Sequence, residues 1–424
     1  MEREPRLSRR ELTRLFAVGG SAALFAGCGA TLPRPAPLPR TPEDPDEAFW
    51  QKVRDQFVMP PDLAVMNAAN LCPAPYPVIE TMYNFTRDMD GDPSSQNRGK
   101  FGTGREETRA LLAEYLRASA EEIVITRNTS EGNNLVSSGI DLGAGDEVVI
   151  FNGNHPSNNK AWKDKGKRFG FKVVEVEGVS PHPGDDHYVQ AFRNAITSRT
   201  KVLAFTQVSN TTGDVFPAKE ICLMARERGV LTLVDGAQSF GVMDLDMSDM
   251  QPDFFTGSGH KWPCGPKESG VLYVRSSALD LLSPSIISLI GGRTPASRKL
   301  ESMGQRDDPS IMALGETIRF HMNIGRRVVE DRARQLGQAL MEGLQRIDGV
   351  RLKTDPDPQR SLSVVVFGTG SLNGSRLNQA LYENERIAGS PRGDGLRLSP
   401  HMYNLLEDVD RAVTAIGSYM AKGI

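Results

Sequence analysis

The sequence predicts an α/β protein, with a large, mostly parallel sheet carrying helices on its faces and a smaller C-terminal α+β domain. Two patterns predict it. Short β-branched runs alternate with segments of helical apolar spacing, and the runs end in clusters of polar residues. Successive parallel strands need a crossover, usually a helix, so this alternation is the mark of a parallel sheet. A length of 424 residues suits one large domain and one smaller one, with enough chain to bury a sizeable core.

The chain opens on a segment unlike the rest. Ser8-Arg9-Arg10-Glu11-Leu12 is basic, and an apolar run from Leu15 ends in small residues before Cys28. The run is about half of the ~20 residues that a membrane span needs, so residues 1–28 read as a signal peptide. The Arg9-Arg10 pair resembles a twin-arginine signal. Leu24-Phe25-Ala26-Gly27-Cys28 resembles a lipobox, which would make Cys28 a lipidation site. Prolines then alternate through Pro33, Pro35, Pro37 and Pro39, so residues 29–45 read as a semi-rigid polyproline tether. The expectation is an exported protein, periplasmic or anchored in the membrane through Cys28.

The globular body follows. Residues 105–117 have helical spacing, and Glu122-Ile123-Val124-Ile125-Thr126 is a β-branched run leading to the polar turn Asn128 to Gly132. Further strands are expected at 146–151, ending near His155, at 171–176, and at 201–206, ending near Asn210. A helix is expected from Pro217 to Arg228, and the strand 230–234 delivers Asp235. Phe254 to Ser258 leads to Lys261, and 270–274 returns as a strand. Residues 326–346 form a long amphipathic helix, Ser361 to Phe367 a strand and Ser375 to Glu385 a helix. The expected divisions are 46–315, an N-terminal segment with the large domain, and 316–424, the small domain.

Composition narrows the function. A formal net charge of -3 creates no global field for nucleic acid or an anionic membrane surface. Cys28, Cys72, Cys222 and Cys264 show no disulfide or metal-ligand spacing, and six His add little, so no metal is expected.

The polar groups at strand ends lie where open α/β sheets bind ligands. Ser258-Gly259-His260-Lys261 follows one strand, Asp235-Gly236-Ala237-Gln238 ends the one before, and Asn210 ends the one before that. Pyridoxal 5'-phosphate (PLP) needs this set. A lysine forms the imine, a carboxylate keeps the pyridine nitrogen protonated, donors hold the phenolate oxygen, and a polar cradle holds the phosphate.

From about Asn67 to Asn404 the chain resembles the PLP-dependent aminotransferase class V family, which includes cysteine desulfurases and isopenicillin N epimerase-like proteins. The segment from Val234 to Pro266 is the most specific part of the match. The resemblance implies a fold type I PLP enzyme, a homodimer with active sites at the interface, and a small amino acid or amine as substrate. It makes Lys261 the Schiff-base lysine and Asp235 the pyridinium partner. Gln238 and Asn210 become phenolate ligands, and His155 the residue stacked on the ring. Thr129, Ser130, Ser258 and His260 form the phosphate cradle, and Arg397 clamps the substrate carboxylate. A twin-arginine route would carry such a protein out already folded and loaded.

Two departures from the family pattern matter. Where relatives often carry a Gly-Thr pair reaching the partner subunit's phosphate, this chain has Gly304-Gln305, so Gln305 is the candidate there. The loop Ile387 to Gly395 holds no Cys, which disfavours desulfuration. The residues leave transamination, isopenicillin N epimerase-like epimerisation and β-elimination open. A non-catalytic PLP-fold binding protein is the reading from another class.

Overall fold

The computed structural model describes residues 34–287, 295–370 and 372–424, without the side chain of Arg298. The signal segment 1–28 and the tether as far as residue 33 lie outside the described residues. Residues Pro37–Ile424 form one compact unit. The end of the tether has no regular structure, but Leu38 packs on the core and Thr41 Oγ1 donates to the carbonyl of Asn323 at 3.2 Å.

The helices in chain order are α1 (Glu47–Arg54), α2 (Tyr76–Gly91), α3 (Ser95–Leu116), α4 (Thr129–Gly139), α5 (Pro156–Phe169), α6 (Asp185–Ala195), α7 (Ala218–Glu227), α8 (Met247–Met250), α9 (Ala296–Leu300), α10 (Asp308–Ile324), α11 (Arg326–Gln345), α12 (Gly374–Glu385) and α13 (Leu406–Lys422). The strands are β1 (Ala64–Val65), β2 (Ile123–Thr126), β3 (Glu147–Phe151), β4 (Lys172–Val176), β5 (Thr200–Thr206), β6 (Leu231–Asp235), β7 (Phe254–Ser258), β8 (Gly270–Val274), β9 (Arg351–Leu352), β10 (Val365–Gly368), β11 (Ile387–Ala388), β12 (Ser390–Arg392) and β13 (Gly395–Leu398).

Seven strands make the large sheet in the order β2-β8-β7-β6-β5-β3-β4. Only β8 runs against the rest, pairing antiparallel with both β7 and β2. The other six therefore end at one edge. Their β-branched runs pack on both faces, as a helix-covered parallel sheet requires. In β3, Val149 joins the core on one face while Val148 and Ile150 join the core on the other.

A second sheet, β12-β13-β10-β9, carries α11, α12 and α13 on one face around Leu340, Leu377, Leu396, Leu398 and Ile416. The expected strand 361–367 begins later, at Val365, because Ser361 forms an isolated bridge with Asp214 instead; Leu362 and Val364 pack in the core with Trp262. The N-terminal segment joins these C-terminal elements. Phe49, Trp50 and Val53 of α1 pack with Phe320, Val329 and Tyr403, and β1 pairs with β11. Residues 315 and 316 lie within α10, which packs on α2 and α3, so the chain passes from the large sheet to the small one along a continuous helix.

Candidate functional site

The site is built at the common edge of the large sheet. Asp235, the last residue of β6, is 2% exposed. Its Oδ2 accepts from Asn133 Nδ2 at 2.9 Å and Asn158 Nδ2 at 3.2 Å, and its Oδ1 accepts from the Ala237 amide at 3.1 Å. Asn133 belongs to α4 and Asn158 to α5, so the helices following β2 and β3 both converge on this carboxylate. Three donors fix its orientation, and carboxylate oxygens have further lone pairs for another N–H. A buried carboxylate calls for a cationic partner, and a protonated pyridine nitrogen is one.

Lys261 lies in the connection between β7 and β8. It borders a cavity of about 250 Å³ whose wall includes Asn70, Thr129, His155, Asp235 and Ser258. Burial pushes its amine down to about 8; the charge of Asp235 opposes this and that of Arg397 adds to it. The neutral, nucleophilic form is thus accessible near neutral pH. The loop is held from behind by Gly241, with φ +93°, where a Cβ would lie 2.4 Å from the nitrogen of Pro263. His155 caps α5, is exposed, and places Nδ1 2.8 Å from Ser157 Oγ. Partial desolvation beside the cavity and the charge of neighbouring Lys261 lower its pKa, which favours the neutral ring suited to an aromatic face.

The opposite wall is the N-terminus of α4. Ser258 Oγ accepts from the Thr129 amide at 2.9 Å and lies 2.8 Å from Thr129 Oγ1. Ser130 Oγ donates to Ser157 Oγ at 3.1 Å. His260 lines the same cavity; burial pushes its pKa down to about 4, and its Nδ1 is buried without a partner. The positive end of α4, three hydroxyls and an unsatisfied imidazole nitrogen make an anion cradle.

The remaining candidates divide. Gln238 is buried, with Oε1 accepting from Trp262 Nε1 at 2.8 Å and Nε2 donating to the Ala69 carbonyl at 2.9 Å. Indole can only donate, so the amide orientation is fixed and Nε2 keeps one hydrogen for a ligand. Asn210 lies beyond β5, where its carbonyl accepts from Arg397 Nη1 at 3.3 Å. Gln305 is not in the cavity; its Oε1 accepts from Arg98 on exposed surface at 3.1 Å. Cys28 lies outside the described residues. Cys264 is fully buried at φ +62°, and burial raises its thiol pKa far above the ordinary value, which argues against a thiolate nucleophile. Cys264, His321 and His401 bring ligand atoms within 4.8 Å of one another; each imidazole Nε2 is engaged by a backbone carbonyl, those of Pro263 and Trp262, and each Nδ1 is buried without a partner.

Sequence reasoning did not single out Asn133, Asn158, Asn70, Ser157 or Arg392. Asn133 and Asn158 left a usable signal, since each is a buried amide within the first five residues of a helix that follows a strand.

The fold and this donor set together define a PLP-dependent enzyme of fold type I. The sequence profile of the aminotransferase class-V family matches residues 67–411, and the chain belongs to that family. It is similar to isopenicillin N epimerases. One from Amycolatopsis lactamdurans is 31% identical over 395 residues, covering 87% of this chain and 98% of that protein. One from Streptomyces clavuligerus is 28% identical over 393 residues, with the same coverages. Among solved structures, the apo cysteine desulfurase of Thermococcus onnurineus NA1 superposes with a TM-score of 0.79 at 25% identity, covering 87% of this chain and 97% of that one. The residues present fit the cofactor: Lys261 would take its aldehyde carbon, Asp235 would face the ring nitrogen, and the α4 N-terminus with Ser258 and His260 would hold its phosphate.

Proposed function

We propose that this enzyme acts on an α-amino acid, with Arg397 holding the substrate carboxylate while Lys261 moves the Cα proton. Arg397 carries the reading. It is 1% exposed, its guanidinium reaches only the Asn210 carbonyl and Asn67 Oδ1, at 3.3 and 3.2 Å, and its Nε is buried without a partner. No carboxylate pairs with it among the described residues. Burial, with Arg392 nearby, pushes its pKa down, the mark of an uncompensated cation. Desolvating a charge costs several kcal/mol unless it is paired, so the arrangement suits a carboxylate that arrives with the substrate.

Bound PLP supplies the electron sink for carbanion chemistry. The chain supplies the rest. Asp235 would hold the ring nitrogen's proton and His155 would cover one ring face, while Arg397 orients the substrate and Lys261 takes or returns the proton. Inversion at Cα is a second reading, favoured by the isopenicillin N epimerases matched over 98% of their length. The product distinguishes the two: a keto acid from transamination, an inverted amino acid from epimerisation. A homodimer, with Gln305 near the partner's phosphate, belongs to the same proposal.

A panel of amino acids screened for spectral change and product tests it. Arg397→Ala is expected to raise KM for a reacting amino acid about 10- to 100-fold, from the loss of charge-assisted bonds worth roughly 1.5–3 kcal/mol. An unchanged KM would remove Arg397 from the reading.

We further propose export of the loaded enzyme by residues 1–28, with Cys28 becoming the acylated first residue. Mass spectrometry of the cell-purified protein is expected to find a chain lacking residues 1–27. An intact Met1 on wholly cytosolic protein would end this proposal.

A further inference from the structure

We propose that Arg392 and Arg397 form a two-anion clamp, making the substrate an amino acid with a second carboxylate on its side chain. The inference deepens the amino-acid reading above and rests on it.

The hairpin of β12 and β13 sets the geometry. Ser390 lies opposite Arg397, and Arg392 opposite Gly395. Opposed residues of an antiparallel pair share a face, as do residues two apart along a strand. Arg392, Ser390 and Arg397 therefore project from the same face. The alternate residues Leu396 and Leu398 enter the small-domain core on the other. The arginine face looks toward the site, because Arg397 reaches Asn210 and Asn67 in the loops after β5 and β1. Arg392 stands diagonally across from Arg397, a relation of about 7–8 Å between backbones.

Arg392 also bends toward that neighbour. Its Nη1 donates to Ser390 Oγ at 3.0 Å and to the Pro391 carbonyl at 2.9 Å, and Ser390 is the residue facing Arg397. Neither guanidinium has an acidic partner among the described residues. The nearest acid in sequence, Asp394 at the hairpin turn, is taken by Lys353. Burial lowers the pKa of Arg392, and Arg392 in turn depresses Arg397 and His155, so its field reaches the site. Two cations on one face, each without an anion, are satisfied together by two carboxylates. Arg397, fully buried, takes the α-carboxylate. Arg392, partly exposed on the edge strand, takes the distal one.

Calorimetry on the holoenzyme with glutarate and butyrate tests this. Both probes lack an amine, so binding depends on neither turnover nor reaction with the cofactor. Glutarate is expected to bind at least about tenfold tighter than butyrate, a preference reduced to about one in Arg392→Gln and kept in part by Arg392→Lys. Equal binding of the two by the wild-type enzyme, or a preference that survives Arg392→Gln, overturns the clamp. A further titration with amino acids separates the two levels. Reaction with amino acids but no dicarboxylate preference overturns the clamp alone. Glutarate preference without any amino-acid reaction overturns the parent reading, and with it the assignment of an amino-acid substrate.

Discussion

Lys261→Ala is expected to lose the visible absorbance of lysine-bound cofactor and at least about 10²–10⁴ of the rate, the range set by loss of a positioned acid–base group. The expectation rests on place as well as pKa. Lys165 is also pushed down to about 8 by burial, but its Nζ donates to Asn134 Oδ1 and Ser137 Oγ, and it does not line the cavity. Lys261 borders the cavity with Asp235 and Thr129. No neighbour replaces it. Lys261 is the one amine among the described residues bordering the cavity, and His155, whose Nδ1 is taken by Ser157, cannot form the imine. Truncating a side chain at a cavity wall leaves the core contacts of Trp262 and Cys264 intact, so the thermal midpoint should stay near that of the wild-type apoprotein. Absorbance that persists in the variant would place the imine on another lysine.

The large sheet was legible because its strands are apolar runs buried on both faces and its turns are polar. Lys261, Asp235, Ser258, Thr129 and His155 were legible for the same reason. Asp235 and Ser258 end strands, Thr129 and His155 open the next helices, and Lys261 sits in the connection just after β7, so chain position alone puts each at one edge. The reversal of β8 was half visible, since the short connection from β7 leaves no room for a crossover. The small sheet was harder. β9, β12 and β13 have two to four residues each, too few to show a period. The docking of α1 and β1 on the C-terminal elements was not legible, because contacts that distant in sequence leave no local pattern. Asn133 and Asn158 went unread for a related reason: their partner is another element's carboxylate, met only once the sheet has formed. Gln305 lies on exposed surface, where its Oε1 accepts from Arg98, and its proposed role belongs to the partner subunit's site.

Asp235→Asn is expected to lower kcat by about 10³-fold or more, or roughly 4 kcal/mol of barrier, while the protein still takes up cofactor. In the proposed role the carboxylate would stabilise charge that develops on the ring, and a neutral amide of the same shape would not. Its surroundings sharpen the expectation. Asp235 accepts from Asn133, Asn158 and the Ala237 amide through both oxygens. An asparagine has one acceptor oxygen, so in either orientation its NH₂ meets a buried donor. That mismatch leaves at least one N–H unpaired and costs about 1–3 kcal/mol of stability. The variant should therefore show two separable defects: a modest drop in melting temperature with or without cofactor, and a far larger fall in kcat. A variant that melts early but turns over at nearly the wild-type rate would make Asp235 a structural hub for α4 and α5, and another group would then have to hold the pyridine proton. Among the described residues bordering the cavity, none besides Asp235 offers a carboxylate, which is why the catalytic loss should dominate.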